Sequence, residues 1–140
     1  MRISFVVYSR AAPQGSKTYL GQGRMKESSK RVKPFRADVK AAAMNVPLPE
    51  GWPMEAPMRV GMRFHFARPK THLTSKGALT KSAPQEATSH GLGDIEKLAR
   101  AVNDALSGAL FKDDRQVVEM HLAKAYDDQD LVTISVEPIH

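Results

Sequence analysis

The sequence predicts an α+β domain with the order β-α-β-α-β-β, a small mixed sheet backed by helices. Three observations carry this prediction. Apolar residues alternate in "RISFVVY", "MRVGMRFHF" and "LVTISVEPI", the period of a half-buried strand. They recur at i, i+3 and i+4 in "IEKLARAVNDAL", the period of a helix with one buried face. Connectors rich in proline, glycine or charge separate these runs. A chain of 140 residues suits a single domain, 1–140, with long basic loops expected to be flexible at about 9–30 and 67–92.

In the first strand Ile3, Phe5 and Val7 share a face. The following stretch, "SRAAPQGSKTYLGQGRMKESSKRVK", is polar, basic and punctuated by glycines, and is read as a loop. Pro34 suits the first residue of a short helix, "PFRADVKAAAM", ended by Asn45 and Pro47. "VPLPEGWPMEAP" is a connector, because so many prolines cannot sustain regular structure. In the next strand Met58, Val60, Met62, Phe64 and Phe66 point one way, and Arg59, Arg63 and His65 the other. The second helix buries Ile95, Leu98, Ala99, Val102, Ala105 and Leu106, with Asp94 placed to cap it and Gly108 to stop it. "QVVEMHLAKAY" puts Val118, Met120 and Leu122 on one side. "DDQD" reads as a hairpin turn into the last strand, where Val132, Ile134 and Val136 face inward.

The composition excludes several chemistries. There is no cysteine, so disulfides, thiolate zinc sites and cysteine nucleophiles are ruled out. No apolar run is long enough for a membrane span, no signal peptide is evident, and a cytoplasmic location is expected. The charge is +6 with a pI near 9.7. Nine Lys or Arg lie between Ser9 and Lys40 against two acids; from Gly91 onward five bases face ten acids. A basic half points to polyanions as partners, although an ordinary solvated surface explains it equally well.

The acids of the second half cluster in "GDIEKLARAVNDALSGALFKDD". A helix over 95–107 is about 20 Å long, and an extended return over 108–114 spans roughly 23 Å. Asp114 can therefore reach the helix N-terminus beside Asp94 and Glu96, forming an oxygen-lined pocket for Mg²⁺. Such an ion polarises a phosphate and activates water. The plainer reading keeps Asp94 as a cap, Glu96 as the partner of Arg100 at i+4, and Asp113–Asp114 as turn residues.

"DIEKLARAVNDALSGALFKDDRQV" resembles the RusA-type Holliday junction resolvases, whose pattern is D-x-D-N-x-x-K-x-x-x-D-A-L followed by D-D-x-Q-V. "APQGSK" and "SKRVKPFRADV" are similar to phage-encoded members, so the likeness runs through most of the chain. The resemblance implies Mg²⁺-dependent endonucleolytic cleavage of branched DNA, with Mn²⁺ a possible substitute, by a homodimer. It places the motif acids on Asp94, Glu96 and Asp114, the motif lysine on Arg100, and D-A-L on Asp104, Ala105 and Leu106. Glu96 stands where aspartate is usual, and Lys97 where asparagine is common. Arg100 is fixed in charge and planar, so it can hold a phosphate but not give up a proton.

The resulting expectation is a dimeric resolvase of four-way junctions, made of a single α+β domain. Asp94, Glu96 and Asp114 are its metal ligands and Arg100 assists. Lys17, Arg24, Lys30, Arg31, Lys70, Lys76, Lys81 and Lys97 are the expected DNA contacts. The alternatives are a nuclease for other branched or flap DNA, and a non-catalytic basic DNA-binding module. "PQGSK" lacks the spacing of a phosphate-binding loop, so no nucleotide cofactor is expected. Phe111 is read as core rather than as a wedge between bases, and His90 is the one histidine close enough to the acids to test.

Overall fold

Strand β4 (Met58–Ala67) organises the domain. Its apolar set, Met58, Val60, Met62, Phe64 and Phe66, is buried, as the alternation requires. The computed structural model describes residues 1–15, 17–21, 24–27, 30–89 and 91–139, with 17–21 and 24–27 as backbone alone. Beside β4, β6 (Leu131–Pro138) pairs antiparallel and β5 (Val117–Asp127) parallel; β1 (Ile3–Val7) completes a mixed sheet of order β1-β6-β4-β5.

Helices α1 (Val32–Asn45) and α2 (Ile95–Leu106) pack together over one face of this sheet. Val32, Phe35, Val39 and Ala43 of α1 and Leu98, Val102 and Leu106 of α2 meet the inward strand residues in one core, which also takes Leu110 and Phe111. Each large side chain removed from water here contributes about 1.5–3 kcal/mol, against about 0–1 kcal/mol for an exposed ion pair. The core therefore holds the fold. The opposite sheet face, with Ser4, Arg63, His121, Thr133 and Ser135, lines an open groove. No described helix is long and apolar enough to cross a membrane.

The fold class and the β-α-β-α-β-β skeleton are those the sequence predicts, with four differences of detail. The stretch read as a loop at 9–30 contains an antiparallel pair, β2 (Lys17–Gly21) and β3 (Arg24–Glu27). Helix α1 starts at Val32, so Pro34 is its third residue; the first four backbone N–H groups of a helix lack intrahelical partners, and proline costs nothing there. Val118 is 65% exposed, because a bulge against Met58 and Arg59 shifts it out of the inward series.

The fourth difference is "DDQD", which is not a hairpin: β5 and β6 lie on opposite sides of β4, and the turn crosses the end of that strand. Its carboxylates bind the strand end they cross. Asp130 accepts the Ala67 N–H at 2.9 Å, and Asp127 pairs with His65 Nδ1 at 2.9 Å.

Candidate active site

Helix α2 carries the site. Its lower face is apolar and buried, which leaves Glu96, Arg100 and Asp104 exposed along the other side. Glu96, Ala99, Arg100 and Asn103 lie at helical spacing and form one wall of a cavity of about 290 Å³. Asp114, Val117 and Met120 close it from the other side. Three of the four expected catalytic residues, Glu96, Arg100 and Asp114, thus share one cleft.

Asp114 reaches this cleft by a different route from the extended return expected. The chain after α2 turns at once. Ser107 is the C-cap, Gly108 takes φ +86°, and Ala109 and Leu110 both bond back to the Leu106 carbonyl at 3.0 Å. Positive φ explains the glycine at 108. Buried Ala109, Leu110 and Phe111 pull the segment inward instead of along the helix. Asp114 consequently arrives beside the flank of α2, close enough to Asp104 to feel its charge.

Adjacent aspartates have separate environments. Asp113 caps the 3₁₀ turn Asp114–Gln116: it accepts the Arg115 N–H at 2.9 Å, and Gln116 Oε1 accepts the Asp113 N–H at 2.9 Å. The Arg115 N–H is the main cause holding the Asp113 carboxyl below its usual value. Asp114 is pushed up instead, first by desolvation, then by a hydrogen bond and charge repulsion from Asp113 and by the Asp104 charge. An acid held in a site that disfavours its charge suits a cation beside it.

Asp94 occupies the N-cap of α2, yet its side chain makes no capping hydrogen bond and does not line the cavity. A capping bond contributes about 1 kcal/mol, and this carboxylate forgoes it. Among the described residues, no group of three or more His, Asp or Glu side chains is arranged to hold a metal ion. The cleft offers two carboxylates instead. Next to them Asn103, only 9% exposed, gives its amide N–H to Met120 Sδ at 3.3 Å and leaves Oδ1 buried without a partner among the described residues. Two carboxylates and an orphaned amide oxygen are hard donors of the kind Mg²⁺ takes, so these residues fit that ion. The sequence reading missed Asn103; its signal was a polar residue one turn beyond Ala99 and Arg100 on the same helix stripe.

The expected DNA contacts are dispersed. Lys30, Arg31, Lys70, Lys76 and Lys81 are exposed, and Lys97 is half-buried. The side chains of Lys17 and Arg24, and all of His90, lie outside the described residues. His72, in the same loop as Lys70, Lys76 and Lys81, packs its ring edge-on against Tyr126 at 5.3 Å. Arg68 stacks over the same tyrosine at 4.4 Å and donates to the Pro84 and Gln85 carbonyls. Phe111 is fully buried, as expected of a core residue.

Acids and an arginine converging in one cleft of a basic α+β domain define a class of protein suited to phosphodiesters. The family is also clear: the chain belongs to the RusA endodeoxyribonucleases, whose family model, described as Endodeoxyribonuclease RusA, matches residues 10–137. The protein is accordingly an enzyme of DNA, and the resemblance carried by the α2 motif is to its true family. No curated protein matches the chain.

Proposed function

We propose that the protein is a metal-dependent endonuclease that resolves four-way DNA junctions by paired nicks, acting as a homodimer. The observation that carries the reading is the shared cleft of Glu96, Arg100 and Asp114, within the span the family model matches. Glu96 and Asp114 would hold Mg²⁺ or Mn²⁺, with Asp94 from the helix cap as the third motif acid. A bound divalent ion supplies polarisation of the scissile phosphate and an activated water. Arg100 holds a non-bridging phosphate oxygen through its planar guanidinium, whose paired N–H donors match phosphate geometry. Lys30, Arg31, Lys70, Lys76, Lys81 and Lys97, with Lys17 and Arg24, neutralise the backbone of the duplex arms. Two-fold symmetry matches the task, since paired nicks require two equivalent centres.

Incubating the wild type with labelled four-way junction, flap and linear duplex, in Mg²⁺ or EDTA, tests this. Symmetric nicks in the junction alone, lost in EDTA, are expected. Cleavage confined to the flap would make it a nuclease for other branched DNA. Tight binding with no cleavage in any divalent metal would make it a binding module.

A further inference from the structure

One side chain joins the turn that carries Asp114 to a distant segment. Gln116 Oε1 accepts the backbone N–H groups of Lys112 and Asp113, both at 2.9 Å. Its amide nitrogen donates to the carbonyls of Met54, at 2.8 Å, and Ala56, at 2.9 Å. A carboxamide has two N–H donors and two acceptor sites. The half-buried Gln116 therefore uses its whole hydrogen-bonding capacity, and every partner is a backbone group.

The two pairs of bonds differ in reach. Those from Lys112 and Asp113 are local and, with the Asp113 cap, shape the turn. Those to Met54 and Ala56 reach back 62 and 60 residues, to the connector that runs into β4 at Met58. The Lys112 N–H also meets the Met54 carbonyl, at 3.2 Å. Two residues earlier in each segment, Trp52 Nε1 donates to the Leu110 carbonyl at 2.8 Å. The Lys112–Glu55 ion pair joins the same segments but lies open to water and salt. No ion pair among the described residues ties down the Asp114 side chain itself, so its place in the cleft follows from where its backbone is held. A single bond would let the turn pivot. Four bonds from one planar group fix its orientation as well as its distance.

We propose that Gln116 is a positioning residue for Asp114. Its bonds to the Met54 and Ala56 carbonyls hold the turn against the connector, and so set where the Asp114 carboxylate enters the cleft lined by Glu96 and Arg100. This inference rests on the nuclease reading above. Misplacing a catalytic group by about 1 Å costs up to about a hundredfold in rate. Losing a support one step behind a metal-binding group typically costs about 10–100-fold in metal affinity or activity.

The test uses the full chain carrying Gln116→Met, Asp114→Asn or both. Three quantities are read: kcat for junction nicking in saturating Mg²⁺, junction affinity in EDTA by gel shift, and Mn²⁺ affinity of the DNA-free protein by electron paramagnetic resonance. In Gln116→Met, kcat is expected to fall about 10–100-fold and Mn²⁺ affinity about tenfold, while junction affinity in EDTA stays put. Added to Asp114→Asn, the same change should take away nothing further, because Gln116 acts only through that carboxylate. If Gln116→Met does not fold, Gln116→Asn, which keeps an amide one methylene short of the connector, carries the same comparison. Wild-type kcat and Mn²⁺ affinity in a folded variant would overturn the inference. So would an equal loss of Mn²⁺ affinity with and without the Asp114 carboxylate, since Gln116 would then support the fold at large. A wild type that binds Mn²⁺ but nicks nothing would sink the nuclease reading, while the Mn²⁺ comparison still decides whether Gln116 places Asp114.

Discussion

Asp113 accepts the Arg115 N–H, whereas Asp114, one residue on, faces the cleft with its carboxyl raised above the ordinary 3.8. Their substitutions should therefore diverge. Asp113→Ala removes the cap of the 3₁₀ turn and should lower Tm while leaving nicking measurable. Asp114→Asn removes a charge the fold disfavours, so the metal-free variant should melt at or above the wild type at pH 7. A raised folded pKa means that ionised Asp114 is a cost at neutral pH, and this cost fades as pH falls through that pKa. The variant's advantage should vanish by about pH 3, where the wild-type group is protonated in both states. Asp113, Glu119 and Asp127 have lowered values and act oppositely: their stabilisation is present above the unfolded pKa and lost on acidification. Acid melts followed by circular dichroism check both signs. In sequence the two aspartates were indistinguishable, because only the hydrogen bonds made by Arg115 and Gln116 tell them apart.

Strand and helix faces were legible wherever a period ran unbroken: β4 and β6 bury the residues their alternation names, and α2 does so for all but the half-buried Ile95. Where a local feature broke the period, the reading failed. The bulge turned Val118 outward, and the order β1-β6-β4-β5 made a crossing turn of "DDQD", since which strands become neighbours depends on contacts far apart in sequence. The long segment 67–92 offered no period at all. Arg68 orders part of it through Tyr126 and two carbonyls, while Tyr126 and Ser89 join hydroxyl to hydroxyl. Arg68→Ala should cost about 2 kcal/mol in urea unfolding and expose this segment to protease. Wild-type resistance in the variant would show that the segment is held elsewhere.

At the scale of the molecule, composition foresaw a DNA partner better than it foresaw the site. A +6 chain of the RusA endodeoxyribonuclease family meets phosphates, and each one neutralised should add about 0.9 to the slope of log affinity against log salt. Charge-removing substitutions at Lys70, Lys76 and Lys81 should each flatten that slope by up to about one unit, as gel shifts across a salt series would reveal. The placement of Glu96, Arg100 and Asp114 in one cleft required the fold, because the buried turn at Ala109–Phe111 sets where Asp114 arrives. The most direct measurement compares wild type and Asp114→Asn on one labelled four-way junction, scoring nicks in Mg²⁺ and binding in EDTA. The account predicts that nicking falls about a hundredfold or more while binding is kept, as expected when a group acting on the reacting phosphate is lost. Undiminished nicking by Asp114→Asn would contradict it.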